Sequence, residues 1–459
     1  MNLLLLTLLL ITLAIIGFLI IRRWPDVAFW IVVLLLFDPT GHFSVYLGKD
    51  SLGGFYYRDF LFPLAFVPLL SPRVPFQQAF GFRPFQVLIG VQLIFLLYHL
   101  FVYGYWQTGE GWDYLLRYVM VRERMSVFGF LLIIPVFVMA RRNLSFFIDL
   151  LVWSTVVVYA VYFMTLLTGI DLVPVWQAER YRGSGILRYA MYSSGLSEML
   201  IPLAFFVFAR KVPYRYRHLL LGGLVMVVAA VLISLTKSSY VGLAGLVAAS
   251  LFLYARFYRA SLPGLLKMLT GGVIGILLLM MFVFPEYPLL VWRQVQDLWL
   301  FLTGDAYTSG MVEGRLQNQW PAHLSLISER PLFGTGADFS RFFSMRFHPS
   351  DYEVTDLPIT GHLAMYGVVG LAVYSLFYIQ FWRYVLKGYR LIKKRLNHFN
   401  ELDIAVFFMV FAWMVKTFLF RPNYLFNELT TGTLLINLYA GLLLAVLYRH
   451  TQNRETNDT

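Results

Sequence analysis

Residues 218–256 read HLLLGGLVMVVAAVLISLTKSSYVGLAGLVAASLFLYAR. Two apolar runs, 218–235 and 240–256, flank the short polar turn Thr236-Lys-Ser-Ser-Tyr240, and neither run contains an acidic residue. A helix needs about 20 apolar residues to cross the ~30 Å hydrocarbon core of a bilayer, and each run is close to that length. A helix also satisfies every backbone N–H and C=O within itself, as hydrocarbon demands. The stretch therefore reads as a helical hairpin through a membrane, with almost no loop to hold Lys237 off the bilayer.

The same pattern extends in both directions. Before the hairpin, hydropathy places spans near 3–21, 27–37, 60–70, 86–105, 126–140, 145–170 and 190–209; after it, near 264–284, 358–382, 403–420 and 429–448. With the hairpin this makes about 12–13 transmembrane helices. The runs at 27–37 and 60–70 are short for a full crossing and read as tilted, buried or partly re-entrant segments. Composition agrees: 59% of the 459 residues are hydrophobic and 14% charged, against roughly 25% charged in a soluble domain. A soluble fold of this length could not cover itself with so little polar surface. Neither an internal repeat nor a soluble domain is evident, so residues 1–459 read as a single polytopic, all-α membrane domain. Met1-Asn2 carries no basic n-region and Arg22-Arg23 follows the first apolar run, so that run reads as a retained helix. The chain has no cysteine, which excludes disulfides, thiolate nucleophiles and cysteine metal sites.

The net charge of +12 is unevenly placed. Alternate connections carry the basic clusters: Arg22-Arg23, Arg73 and Arg83, Arg141-Arg142, Arg210 to Arg217, Arg256 and Arg259, Arg383 to Arg395, and Arg449 with Arg454. The positive-inside rule makes that side cytoplasmic. The C-terminus is then cytoplasmic and, with thirteen spans, the N-terminus lies outside. The opposite side holds the loops 38–59, 106–125, 171–189, 286–357 and 421–428. The largest, 286–357, is amphipathic and rich in tryptophan (Trp292, Trp299, Trp320), so short helices lying on the membrane surface are expected there.

That outer side has basic residues of its own, which the positive-inside rule does not explain. Arg180, Arg182 and Arg188 precede a span, Lys237 sits in the tight turn, Arg315 lies in the large loop, and Lys416 stands inside a span near its outer end, followed by Arg421. A charge within the membrane is costly and marks a candidate functional site. Arg180, Arg182, Lys237, Arg315 and Lys416 could hold a pyrophosphate at membrane level, Arg by paired hydrogen bonds and Lys as a point charge. The alternative for each is snorkelling to headgroups or pairing with a nearby acid, the preferred reading for Arg188 and Arg421. Acid–base candidates gather at the end of the large loop: His348, Asp351, Glu353, Asp356 and His362. His362 suits a general base or, equally, a packing or capping histidine. Asp351-Tyr-Glu353 has the spacing of an acidic metal pair, but a solvated loop is the preferred reading and no metal is assigned. Glu198, within a span, suits the counter-ion of an arginine, and His99 a core position.

Several segments together resemble the O-antigen ligase/polymerase family of bacterial envelope enzymes. They are Arg315 followed by Trp320, Pro331-Leu-Phe-Gly-Thr-Gly336, the turn Thr236-Lys-Ser-Ser239, Arg182-Gly-Ser-Gly185, and Met365-Tyr-Gly-Val-Val-Gly370. The matches cover about 190 residues, and Pro331–Gly336 is the most specific of them. The resemblance implies a GT-C-like, metal-independent glycosyltransferase without cofactor, working on the periplasmic face of the bacterial inner membrane. Its donor would be a glycan on undecaprenyl pyrophosphate and its acceptor a second glycan. The lipid bilayer is the other partner, with a chain-length regulator as a further one; nucleic acid is not a partner.

Two departures from the family pattern bear on the site. The family's arginine in the turn falls on Ser239, so Lys237 would take its part. The family's catalytic histidine lies eleven residues before the first glycine of the last motif; counting back from Gly367 gives Asp356, with His362 six residues later. Asp356 is favoured as the base over His362, and Arg315 is the family arginine. These departures fit the divergent relatives that polymerise exopolysaccharide repeats better than the lipopolysaccharide ligases. A ligase delivering the glycan to lipid A core, and a flippase for a lipid-linked sugar, are the alternatives.

Overall fold

The computed structural model describes residues 23–38, 57–71, 74, 80–98, 100–102, 128–170, 172–173, 175–178, 188–191, 196–258, 262–283, 285–303, 318–335, 358–396, 399–420 and 430–455. Among these the chain is helical apart from one two-stranded ribbon. The helices are α1 (Pro25–Leu36), α2 (Tyr57–Leu64), α3 (Arg83–Leu97), α4 (Ile133–Arg142), α5 (Leu144–Thr168), α6 (Leu200–Ala209) and α7 (Arg217–Ile233). They continue as α8 (Lys237–Tyr258), α9 (Leu262–Val283), α10 (Tyr287–Thr303), α11 (Trp320–Glu329), α12 (Pro358–Lys394), α13 (Glu401–Val415) and α14 (Thr430–Glu455). Strands β1 (Val175–Ala178) and β2 (Arg188–Met191) pair antiparallel between α5 and α6.

Among the described residues six stretches are long and apolar enough to cross a membrane: Arg83–Val102, Leu144–Thr168, Ser239–Tyr258, Ile359–Lys394, Glu401–Leu419 and Leu434–Thr451. Shorter apolar helices are Pro25–Leu36, Ser197–Ala209 and Arg217–Ile233. The protein is an all-α membrane protein. The expected span at 60–70 is corrected to the eight-residue α2 and a separate 3-10 turn, Val67–Leu70. Pro63 and Pro68 fall in this segment, and each removes a backbone donor and stops a continuous helix. The first two residues of the expected span at 190–209 lie in β2, 192–195 lie outside the described residues, and the chain is helical from Ser197 to Ala209. The run 3–21 lies outside the described residues.

α13 and α14 form the centre of the bundle: 78% and 83% of their spanning windows are buried, against 24% for the stretch that begins with α3. Both are apolar all round, the pattern of a helix enclosed by others. α14 packs on α4 and α13, and α13 on α6 and α8. Rings of Phe206, Phe257, Phe407, Phe408 and Phe411 fill the seams.

Charged residues tie the helix ends together at one end of this bundle. Arg449 pairs with Asp403 and donates to the Ala140 carbonyl at 2.6 Å. Arg142 meets Asp26 at 2.9 Å and Arg210 meets Glu401 at 3.1 Å. The Arg141 guanidinium lies 3.6 Å from the centre of the Tyr448 ring. Tyr214, between α6 and α7, donates to Asp149 at 2.8 Å, and burial with that carboxylate holds its hydroxyl well above the ordinary tyrosine range. The basic connections after α4, α6 and α14 thus share one end, as their alternation in sequence implies. The starts of α6, α8 and α12 and the end of α13 lie toward the opposite end.

Candidate functional site

That opposite end contains a break in α12. Gly367 has φ 68° and ψ −177°, a region essentially confined to glycine. A break in a helix exposes backbone groups that need new partners. Here another part of the chain supplies them. Val368 N–H donates to Pro331 O and Val369 N–H to Leu332 O, both at 2.9 Å. Thr335 donates to Ala364 O from its N–H at 2.9 Å and its Oγ1 at 3.1 Å. The Tyr98 hydroxyl of the stretch extending α3 donates to Tyr366 O at 2.7 Å.

The contact is too close for side chains. A Cβ on Gly334, whose φ is 76°, would lie 2.2 Å from Met365 O, and one on Gly367 would lie 2.3 Å from Leu332 O. One on Gly370 would meet the Tyr98 ring at 2.7 Å. The segments 331–335 and 364–370 are therefore one backbone unit, although some 30 residues separate them in sequence. These are two of the segments that carry the family resemblance.

Two histidines are fully buried beside this unit. His362 precedes the break and rests against the rings of Tyr366 and Tyr374, each 5.3 Å away. His323 of α11 places Nδ1 3.0 Å from Thr360 Oγ1 on α12. Sequence reasoning missed His323. It shares a helical face with Ala322 and Leu326, and a single histidine on an apolar face carries no signal of its own.

Lys416 opens a π turn, Lys416–Phe420, at the end of α13. It is buried and ion-paired with Glu198, just before α6. Glu198 is thus the counter-ion of a lysine where an arginine was expected. Beside it, Ser197 Oγ lies 3.1 Å from Tyr159 OH. The π turn packs on α8, whose first residue is Lys237. The preceding residues form a tight turn: Leu235 has φ 49°, and Ser239 and Tyr240 both donate to Thr236 O, at 3.0 and 3.2 Å. The structure describes the backbone of Lys237.

Arg180 and Arg182 fall in the connection between β1 and β2 and lie outside the described residues, as do Arg315 and Asp356. His99, His348, Asp351, Glu353 and Arg421 lie outside them too. Arg188 stands in β2 opposite Ala178. Among the described residues no group of three or more His, Asp and Glu side chains is placed to hold a metal ion. Within the large loop, α10 exposes Leu289, Trp292, Val295 and Trp299, an apolar stripe of the kind expected for a helix at a membrane surface.

No protein-family model matches the chain, and no curated protein shows significant similarity to it.

Proposed function

We propose that the chain is a membrane glycosyltransferase that joins lipid-linked oligosaccharide repeats into a longer polysaccharide. One observation carries this reading: Pro331–Thr335 and Ala364–Gly370, each read from sequence as part of a glycosyltransferase signature, share backbone hydrogen bonds and two glycine contacts. The two segments that carry the resemblance thus meet at one place in the fold.

In this reading the acceptor hydroxyl oxygen attacks the anomeric carbon of a donor glycan. The bond from that carbon to undecaprenyl pyrophosphate breaks, and the hydroxyl proton passes to Asp356 or His362. Arg315, Arg180, Arg182 and Lys237 stabilise the charge on the departing pyrophosphate. Lys416, read from sequence as a further pyrophosphate ligand, is already ion-paired with Glu198. The bundle adopts a GT-C-like arrangement in the bacterial inner membrane, with the broken helix on the periplasmic side and the C-terminus in the cytoplasm, following positive-inside.

A polymerase lengthens lipid-linked repeats with no other acceptor. Purified protein given only lipid-linked repeats is expected to yield longer glycans; growth only after addition of lipid A core would make it a ligase. The flippase reading draws on the broken helix, since transporters use discontinuous helices around a substrate. Here the break is filled by the protein's own loop backbone. Translocation in vesicles without any change in glycan length would favour the flippase.

A further inference from the structure

At the basic end, a cleft of about 520 Å³ opens between the start of α3 and the last turns of α12. Arg83, Arg383, Lys387, Arg390 and Lys394 line it, and no carboxylate does. Residues 383, 387, 390 and 394 recur at the spacing of one helical face, and all five cations are exposed. Three other basic residues at this end, Arg142, Arg210 and Arg449, each pair with an acid. Five like charges around one concavity repel one another unless an anion joins them.

A second groove of about 520 Å³ shares two of these residues, Arg383 and Arg390. Its walls are otherwise mainly apolar and aromatic, with Tyr378, Ile379, Trp382, Leu386 and Phe418. Ile379 and Leu386 are 59% and 45% exposed. From Ser375 to Arg390 the groove follows α12 for ~22 Å at 1.5 Å per residue. That is about the depth of one leaflet with its headgroups. After its break α12 runs ~40 Å, longer than the ~30 Å hydrocarbon core, so its last turns reach headgroup level.

We propose that Arg383 and Arg390 bind the phosphate of an anionic phospholipid from the leaflet at the basic end, with an acyl chain along the Ile379–Leu386 groove. Positive-inside topology accounts for cations on this side, but not for their convergence on an acid-free cleft joined to an apolar channel. Basic pockets between membrane helices recognise anionic headgroups in this way. The site is independent of the glycosyl-transfer reading.

The test is native mass spectrometry of the full-length protein in detergent, with phosphatidylglycerol or phosphatidylcholine added at equal concentration. Wild type is expected to retain phosphatidylglycerol preferentially. Arg383→Gln/Arg390→Gln should lower that retention about 30-fold, the conversion of roughly 1 kcal/mol per basic residue. The control Lys211→Gln/Arg215→Gln removes the same charge at the same end, away from the cleft, and should retain the lipid. Equal retention of both lipids by wild type, unchanged retention in the cleft variant, or equal loss in the control would each overturn the proposal. Displacement of phosphatidylglycerol by millimolar inorganic phosphate would also overturn it, because the occupant would then be a free anion. If the double cleft variant does not remain monodisperse, Arg390→Gln alone, at an exposed position, carries the same comparison.

Discussion

Gly367 and Lys416 represent two kinds of residue whose roles are set by geometry. Gly367→Ala places a Cβ 2.3 Å from Leu332 O at φ 68°. The backbone conformation alone costs roughly 1–3 kcal/mol, and the clash adds to it. Thermal unfolding in detergent should show clear destabilisation; wild-type stability would mean that the loop and the break do not interlock. Lys416→Met leaves Glu198 without its lysine in a low-dielectric setting, and removing one partner of a buried pair costs about 3–5 kcal/mol. The double variant Lys416→Met/Glu198→Gln should recover most of that loss. A double variant as unstable as the worse single would contradict the pairing. Lys416 as an intramembrane charge is legible in the sequence, because its place in an apolar run marks it as costly. Its partner is not, since 218 residues separate Glu198 from it and nothing local relates them. His323 is silent for a different reason: a histidine among apolar residues looks the same whether it packs or reacts.

The helices themselves are mostly legible. The runs at 145–170, 240–256 and 403–420 correspond to α5, α8 and α13 with its π turn, because length and apolarity alone determine a span. Errors cluster where proline or a strand intervenes, at 60–70 and 190–199, since hydropathy registers greasiness and not backbone donors. The join of 331–335 to the broken α12 illustrates a harder case. Glycine marks both segments and proline the first, yet only the positive φ values at Gly334 and Gly367 make them fit. Tyr98 completes the join through its hydroxyl, so Tyr98→Phe leaves the Tyr366 carbonyl with one donor fewer in a buried setting. A loss of about 1–3 kcal/mol is expected for such an unmet acceptor. Unfolding measurements that find Tyr98→Phe neutral would show that another donor serves the break.

Across the whole molecule, charge is sorted by end. One end is held by paired arginines and carries the cationic cleft; the other gathers the broken helix, two buried histidines and the Lys416–Glu198 pair. The sorting is visible in sequence as alternating basic connections, whereas the candidate chemistry at the other end comes from segments that only the fold assembles. Of the two candidate bases, Asp356→Asn is expected to depress chain growth more than His362→Ala, because His362 is enclosed against Tyr366 and Tyr374. The reverse order, read from glycan lengths at matched protein levels, would assign the proton to His362.

The most direct test of polysaccharide polymerisation is the size profile of surface polysaccharide in a strain deleted for this gene and complemented with wild type or Arg315→Ala. Deletion and Arg315→Ala should both remove long chains and leave single repeats on the lipid core, with wild type restoring them. Normal-length chains stranded on the undecaprenyl carrier, or an unchanged profile, would contradict a polymerase.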